Sequence, residues 1–204
     1  MLNPQSTNLQ RNFLRLMCLA AIAFTPLASL AQLPAPKPCF DFTDTGRTSF
    51  ATTTGNSTGG SNIIWHILSN GGDNSAQIYA FGRGDIESRD GIVPGYYDND
   101  NRADAAVVRL SGRLEGDITF YIRPSTLTTS NPSAYYGVPW GVAPDLPVIG
   151  DYDGDGKQDI AVYRYADRNF YWLNSPGFNS FSSQNWGEPN SLNLPIGYLH
   201  TFFR

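Results

Sequence analysis

Gly150-Asp151-Tyr152-Asp153-Gly154-Asp155-Gly156-Lys157-Gln158-Asp159-Ile160-Ala161-Val162-Tyr163-Arg164 is the stretch that decides the fold, because the chain repeats it. At an offset of 55 residues stands Gly95-Tyr96-Tyr97-Asp98-Asn99-Asp100-Asn101-Arg102-Ala103-Asp104-Ala105-Ala106-Val107-Val108-Arg109. The same offset again reaches Phe40-Asp41-Phe42-Thr43-Asp44-Thr45-Gly46-Arg47-Thr48-Ser49-Phe50-Ala51. Neither step needs a gap, and a fixed period is the signature of an internal repeat.

The repeat extends beyond this stretch. Trp65-His66-Ile67-Leu68-Ser69 matches Phe120-Tyr121-Ile122-Arg123-Pro124, then Tyr171-Trp172-Leu173-Asn174-Ser175 after a four-residue deletion. An aromatic-glycine pair follows each time, at Phe81-Gly82, Trp140-Gly141 and Trp186-Gly187. A short apolar segment with proline comes next, at Ile92-Val93-Pro94, Leu146-Pro147-Val148 and Leu194-Pro195-Ile196.

Each unit reads as four short strands rich in Val, Ile, Tyr, Phe and Trp, punctuated by Gly, Asn and Ser. In the third unit they fall near 147–151, 158–165, 169–174 and 180–186. Outside the N-terminal segment no window keeps a 3.6-residue apolar period, so almost no helix is expected. Four-stranded units of about 40–60 residues mark propeller blades. The expected fold is all-β: a β-propeller-like array of about three four-stranded blades (about 39–82, 92–140 and 147–187) plus a C-terminal partial repeat at 194–204. A β-sandwich with similar hairpins is the competing fold.

Composition agrees. Of 204 residues, 16% are charged and 13% aromatic, and Gly and Pro together number 34. That excess of turn formers and aromatics suits short strands. A hydrophobic share of 41% is enough for a core. The net charge of −4 argues against nucleic acid, which selects a basic surface. Two cysteines exclude a disulfide-dense scaffold.

The first 31 residues read as an address. Arg11 and Arg15 precede the apolar run 16–24, Pro26 breaks it, and Ala28-Ser29-Leu30-Ala31 places small residues at a cleavage site. This is the pattern of a secretory signal peptide, and the run is too short to span a membrane. Cleavage after Ala31 removes two arginines and no acid, takes the net charge to −6, and leaves Cys39 as the sole cysteine. Residues 32–38 read as a proline-rich linker into the domain 39–204. The mature protein is expected outside the cytoplasm, stabilised by packing and by metal.

Metal is the reading of the acidic loop. Asp151, Asp153, Asp155 and Asp159 occupy positions 1, 3, 5 and 9 of one short turn, and four carboxylates beside one lysine repel one another without a cation. Hard oxygens at alternate positions, with Gly154 and Gly156 allowing tight curvature, suit Ca²⁺; the backbone carbonyl of Lys157 is the expected ligand at position 7. Mg²⁺ is the second choice, and a solvated acidic turn the bland alternative. Position 12 is Val162 and not the bidentate glutamate of an EF-hand, and the following strand pattern makes this a strand-to-strand loop. The second copy keeps Asp98, Asp100 and Asp104, with Tyr96 at position 1 and Asn101 in place of glycine, a residue that tolerates the left-handed backbone. The first copy keeps only Asp41 and is expected to be a turn without metal.

On these residues, from Trp140-Gly141 through the Asp151–Gly156 loop to Arg164, the chain resembles the FG-GAP/VCBS-type repeats of secreted bacterial proteins and, more distantly, the calcium-binding blades of integrin α-chain propellers. The resemblance covers about 39–204 and is most specific in the third repeat. It implies a propeller with Ca²⁺ loops between the first and second strands of each blade. The metal positions it implies are Asp151, Asp153, Asp155, the Lys157 carbonyl and Asp159, then Asp98, Asp100 and Asp104. Family propellers close with about seven blades, whereas three units and a remnant imply a partial propeller, an open array or half of an oligomer. Open edges pair with other chains, so self-association is expected.

The leading function is therefore a secreted, non-enzymatic, calcium-binding repeat module for binding or adhesion, with an extracellular protein or glycan as partner. Alternatives are a carbohydrate-binding or carbohydrate-active propeller and a fragment of a larger propeller. The only histidines are His66 and His200, and no nucleophile elbow, zinc-protease motif or phosphate loop is present. Arg83-Gly84-Asp85 matches the tripeptide that integrins read, and Asn56-Ser57-Thr58 is a glycosylation sequon; both are short enough to arise by chance.

Overall fold

The β-branched and aromatic runs become strands at the places the repeat assigns them. The computed structural model describes residues 37–55, 62–84, 90–111, 116–126 and 134–188, and among these there is no helix. The signal segment 1–31, linker residues 32–36, the sequon, Asp85 and the remnant 194–204 lie outside the described residues. Eleven strands follow in chain order: β1 Phe50–Thr54, β2 Asn62–Leu68, β3 Ala76–Arg83, β4 Gly91–Ile92, β5 Ala105–Leu110, β6 Asp117–Arg123, β7 Tyr136–Val142, β8 Leu146–Pro147, β9 Ile160–Arg164, β10 Asn169–Leu173 and β11 Phe181–Asn185. They form three antiparallel meanders, β1-β2-β3, β4-β5-β6-β7 and β8-β9-β10-β11. The chain is all-β, as expected, and each repeat unit is one sheet.

Among the described residues the first sheet has three strands against the expected four; the equivalents of β4 are residues 36 and 37, the first of which lies outside the described residues, and a proline follows them. In the second sheet Val93 N–H donates to the Ala106 carbonyl at 2.9 Å, and in the third Val148 N–H donates to Ala161 at 2.9 Å. The equivalent residue in the first unit is Pro38, which has no N–H to give. One bond of that edge survives, from Ser49 N–H to the Phe40 carbonyl at 3.1 Å.

The strand register also refines the third repeat. Phe120 pairs with Val108, and Phe170 pairs with Tyr163. Phe120 therefore corresponds to Phe170, and the deletion is five residues, not four. The missing residues come out of the turn, since β9 and β10 are joined by a tighter connection than β5 and β6.

Each aromatic-glycine pair has a backbone explanation. Gly82, Gly141 and Gly187 have φ of +96°, +94° and +125°. The register shifts there, between Asn62 and Ile64 in the first sheet and between Asp117 and Thr119 in the second. These are β-bulges, and the bulged residue must be one that adopts positive φ. A Cβ at Gly141 would stand 2.9 Å from Val162 Cγ1, and at Gly82 3.0 Å from Val107 Cγ1. Gly141→Ala is expected to cost about 2 kcal/mol through left-handed strain and overpacking. A lower urea midpoint at unchanged m-value would show it; an unchanged midpoint would refute the bulge assignment.

The sheets pack face to face. Ile63, Trp65 and Ile67 on one face of β2 meet Tyr96, Ala103, Ala105 and Val107 of the second unit. The opposite face of the second sheet, with Ala106, Val108, Ile118, Phe120 and Ile122, meets Ile160, Val162 and Leu173 of the third. One backbone bond recurs between successive loops. Ala103 N–H donates to the Asp41 carbonyl, and Gln158 N–H to the Tyr96 carbonyl, each at 2.8 Å. Both partners move by one repeat, so the two junctions are built alike.

Candidate metal centre

The acidic turns lie between β8 and β9 and between β4 and β5, fixed at their base by the isolated bridges Gly150–Asp159 and Gly95–Asp104. Position 9 is the anchor. Asp159 is buried and accepts N–H bonds from Tyr152 (2.9 Å) and Ser175 (2.9 Å). Asp104 is buried and accepts them from Tyr97 (3.0 Å) and Ser125 (2.8 Å). Each carboxylate ties its turn to the far end of the next hairpin. In the first unit Ser49 takes this place; its hydroxyl accepts from Phe42 N–H at 3.1 Å and shares a hydrogen bond with the Thr43 hydroxyl at 3.3 Å.

Position 1 organises the backbone of the turn. Asp151 accepts N–H bonds from Gly154 (2.7 Å) and Gly156 (2.9 Å), both glycines at φ +85°. Asp41 accepts from Thr43 (3.2 Å), Thr45 (3.2 Å) and Gly46 (2.7 Å). The first turn is thus closed by its buried aspartate. The second turn has Tyr96 at position 1 and takes another path. Neither Asn99 nor Asn101 has positive φ, so the left-handed backbone expected at Asn101 does not occur. Without an inward carboxylate there is nothing to draw its N–H in. Asp98 and Asp100 cap it locally, accepting from Asp100 N–H (2.9 Å) and Arg102 N–H (2.7 Å), and the Ser125 hydroxyl donates to Asp100 at 2.8 Å.

The turns gather their carboxylates. Asp98, Asp100 and Asp104 each offer an oxygen within 4.8 Å of the others, and so do Asp151, Asp153 and Asp159. Carboxylate oxygens this close can share one metal ion, so each group could hold one. The donors in both groups are hard carboxylate oxygens, with no nitrogen or sulfur among them. Asp155 and Lys157 stand differently. The Lys157 ammonium pairs with Asp155 at 2.9 Å, Lys157 N–H donates to the same carboxylate at 2.9 Å, and Asp155 is not in the gathered group.

Electrostatics follow the geometry. Burial raises the Asp104 carboxyl to about 7, with the Asp98 charge adding to it. Asp98 is raised too, by burial first and then by Asp100. Burial raises Asp159, helped by the charges of Asp153 and Asp151. Asp155 is lowered by its bond to Lys157. A divalent ion would relieve the strain on every raised group.

A second recurring device escaped the sequence reading. Asp90 is buried and takes a two-pronged bond from Arg109, Nε and Nη2 each at 2.7 Å. Asp145, one repeat on, is buried and takes the same bond from Arg164, at 2.9 and 2.7 Å. Each aspartate also accepts a backbone N–H from its bulge, Arg83 at 2.7 Å and Val142 at 3.1 Å. The guanidinium groups lie over Tyr121 and Tyr171, at 4.6 and 5.0 Å. The signal was present: both arginines stand in the aligned strings, and both aspartates precede them by 19 residues.

Of the weaker candidates, His66 is held by Thr54 Oγ1 at 3.2 Å, which suits a sheet-surface histidine, and Cys39 is an exposed free thiol. Arg83 ends β3 and Gly84 follows it, while Asp85 lies outside the described residues. Comparison with family models, with curated proteins and with solved structures returned no match.

Proposed function

We propose that the chain is a secreted, calcium-stabilised repeat module of propeller type that binds a protein or glycan outside the cell and carries out no catalysis. One observation supports it above the rest: two turns 55 residues apart each gather three carboxylates within 4.8 Å, in a chain whose N-terminus reads as a secretory signal. Asp151, Asp153 and Asp159 would hold one ion, and Asp98, Asp100 and Asp104 a second. The bound charge would offset carboxylate repulsion and lock each turn against the hairpin that its position-9 aspartate touches. The acceptor sites left on these carboxylates after their backbone bonds are the ones a metal would use.

Titration with Tb³⁺ and displacement by Ca²⁺ tests this, since Tyr97 and Tyr152 stand next to the ligands as sensitisers. Two saturable sites per chain are expected, with Ca²⁺ dissociation constants of about 10⁻⁴–10⁻³ M, the range of extracellular modules. Asp98→Ala should remove one site and Asp153→Ala the other. A chain that binds no ion at millimolar Ca²⁺ would end the proposal.

A further inference from the structure

We infer that the chain dimerises head to tail, the outer face of its third sheet receiving the outer face of the first sheet of a second copy. The inference rests on the repeat reading above and on the likeness of its two internal junctions. At each junction a loop N–H reaches the carbonyl at position 1 of the preceding loop, Ala103 to Asp41 and Gln158 to Tyr96. Continued one step, the acceptor is the Asp151 carbonyl and the donor is Thr48 N–H. Neither makes a backbone bond among the described residues.

The side chains on these two faces tell the same story. Phe50 corresponds to Ala105 and Ile160, which are 1% and 0% exposed at the internal junctions, yet Phe50 is 63% exposed. Leu68 pairs with it across the sheet, and Ile78 lies on the same face, opposite His66, at 67% exposure. Phe50 is thus uncovered where its equivalents are buried, and Leu68 and Ile78 extend the exposed apolar surface beside it.

At the other end, the third sheet carries Tyr152, Phe170 and Trp172 where the second sheet buries Tyr97, Phe120 and Ile122 completely. All three rings are only partly buried, with Tyr152 and Trp172 stacked at 5.2 Å. The indole N–H of Trp172 is buried and has no partner. The arriving face carries Thr52, Thr54 and His66 beside Phe50. A partly covered aromatic shelf thus faces an uncovered apolar sheet. The interface is heterologous, and two such junctions related by a two-fold axis close a ring. Two copies of three sheets give six, within the four to eight blades that propellers use.

The purified chain should sediment at twice its monomer mass at micromolar concentration. Phe50→Glu/Ile78→Glu should weaken the dimer at least about 100-fold, with circular dichroism unchanged because both side chains are exposed in one copy. Trp172→Ala should weaken it from the opposite face. Mixing the two variants should restore a dimer through the one junction that remains whole, which a symmetric face-to-face contact would not do. A monomer, a dimer indifferent to Phe50 and Ile78, an open filament, or a dimer that forms only after residues 189–204 are removed would each overturn the inference. Tb³⁺ stoichiometry on the same samples separates the two readings: a monomer holding two ions leaves the calcium proposal intact and removes this one.

Discussion

Arg109→Ala is expected to lower stability by about 3 kcal/mol, because it strands a buried carboxylate. The Asp90 side chain has no exposure at all, and that of Arg109 has 20%. With the guanidinium gone, Asp90 keeps among the described residues only the N–H of Arg83, and the face of Tyr121 loses its cation. The pair's strength also appears in Arg109 itself, whose pKa is raised chiefly by its hydrogen bonds to Asp90. Arg164→Ala should cost less, about 1–2 kcal/mol. The Arg164 side chain is 35% exposed, so solvent already screens its bond to Asp145. For a domain of this size the Arg109 variant should melt roughly 6–12 °C lower. Asp90→Asn in the Arg109→Ala background should recover part of the loss, since it removes the stranded charge. If Arg109→Ala cost no more than Arg164→Ala, burial would not be what makes this pair matter.

This pair also shows how far the sequence could be read. The repeat was legible because its loop is built of residues with few substitutes: aspartates at alternate positions and glycines at positive φ. From it came the three sheets, the all-β class and the aromatic-glycine pairs that the structure resolves as bulges. The same string hid three things. Pro38 removes one edge bond by lacking an N–H, a loss visible only when the bond it replaces, Val93 to Ala106, is known. Asp155 sits in the ligand pattern and pairs with Lys157, a second partner that a one-dimensional spacing cannot show. Asp104 and Asp159 were read as ligands alone. Each is also a strut accepting two backbone bonds, one from a residue 16 or 21 positions downstream. Spacing within a loop reports what the loop can bind; it does not report what the loop leans on.

That dual role governs the response to calcium. At about a hundred times its dissociation constant, an ion held only by the folded chain adds about 2.7 kcal/mol per site. One filled site should therefore raise the melting temperature by roughly 5–10 °C. Asp153→Ala and Asp98→Ala should each forfeit one site's share of the shift. Asp151→Ala should differ from both: it removes the acceptor of Gly154 and Gly156, so it should lower the melting temperature even of the metal-stripped chain. The pH dependence has a definite sign. The Asp104 carboxyl lies near 3.8 when unfolded and is pushed up to about 7 in the fold, and Asp98 and Asp159 move in the same direction. Between those values the folded chain binds more protons than the unfolded one. The contribution is fully present below about 3.8 and is lost as pH rises through about 7. The metal-stripped chain should thus be less stable at pH 8 than at pH 5, as far as these groups decide it. On the proposed reading calcium would bind the ionised carboxylates and reverse the trend, so its stabilising shift should be small at pH 5 and largest above pH 7. A calcium shift of equal size at both pH values would mean that the ion does not sit among these aspartates.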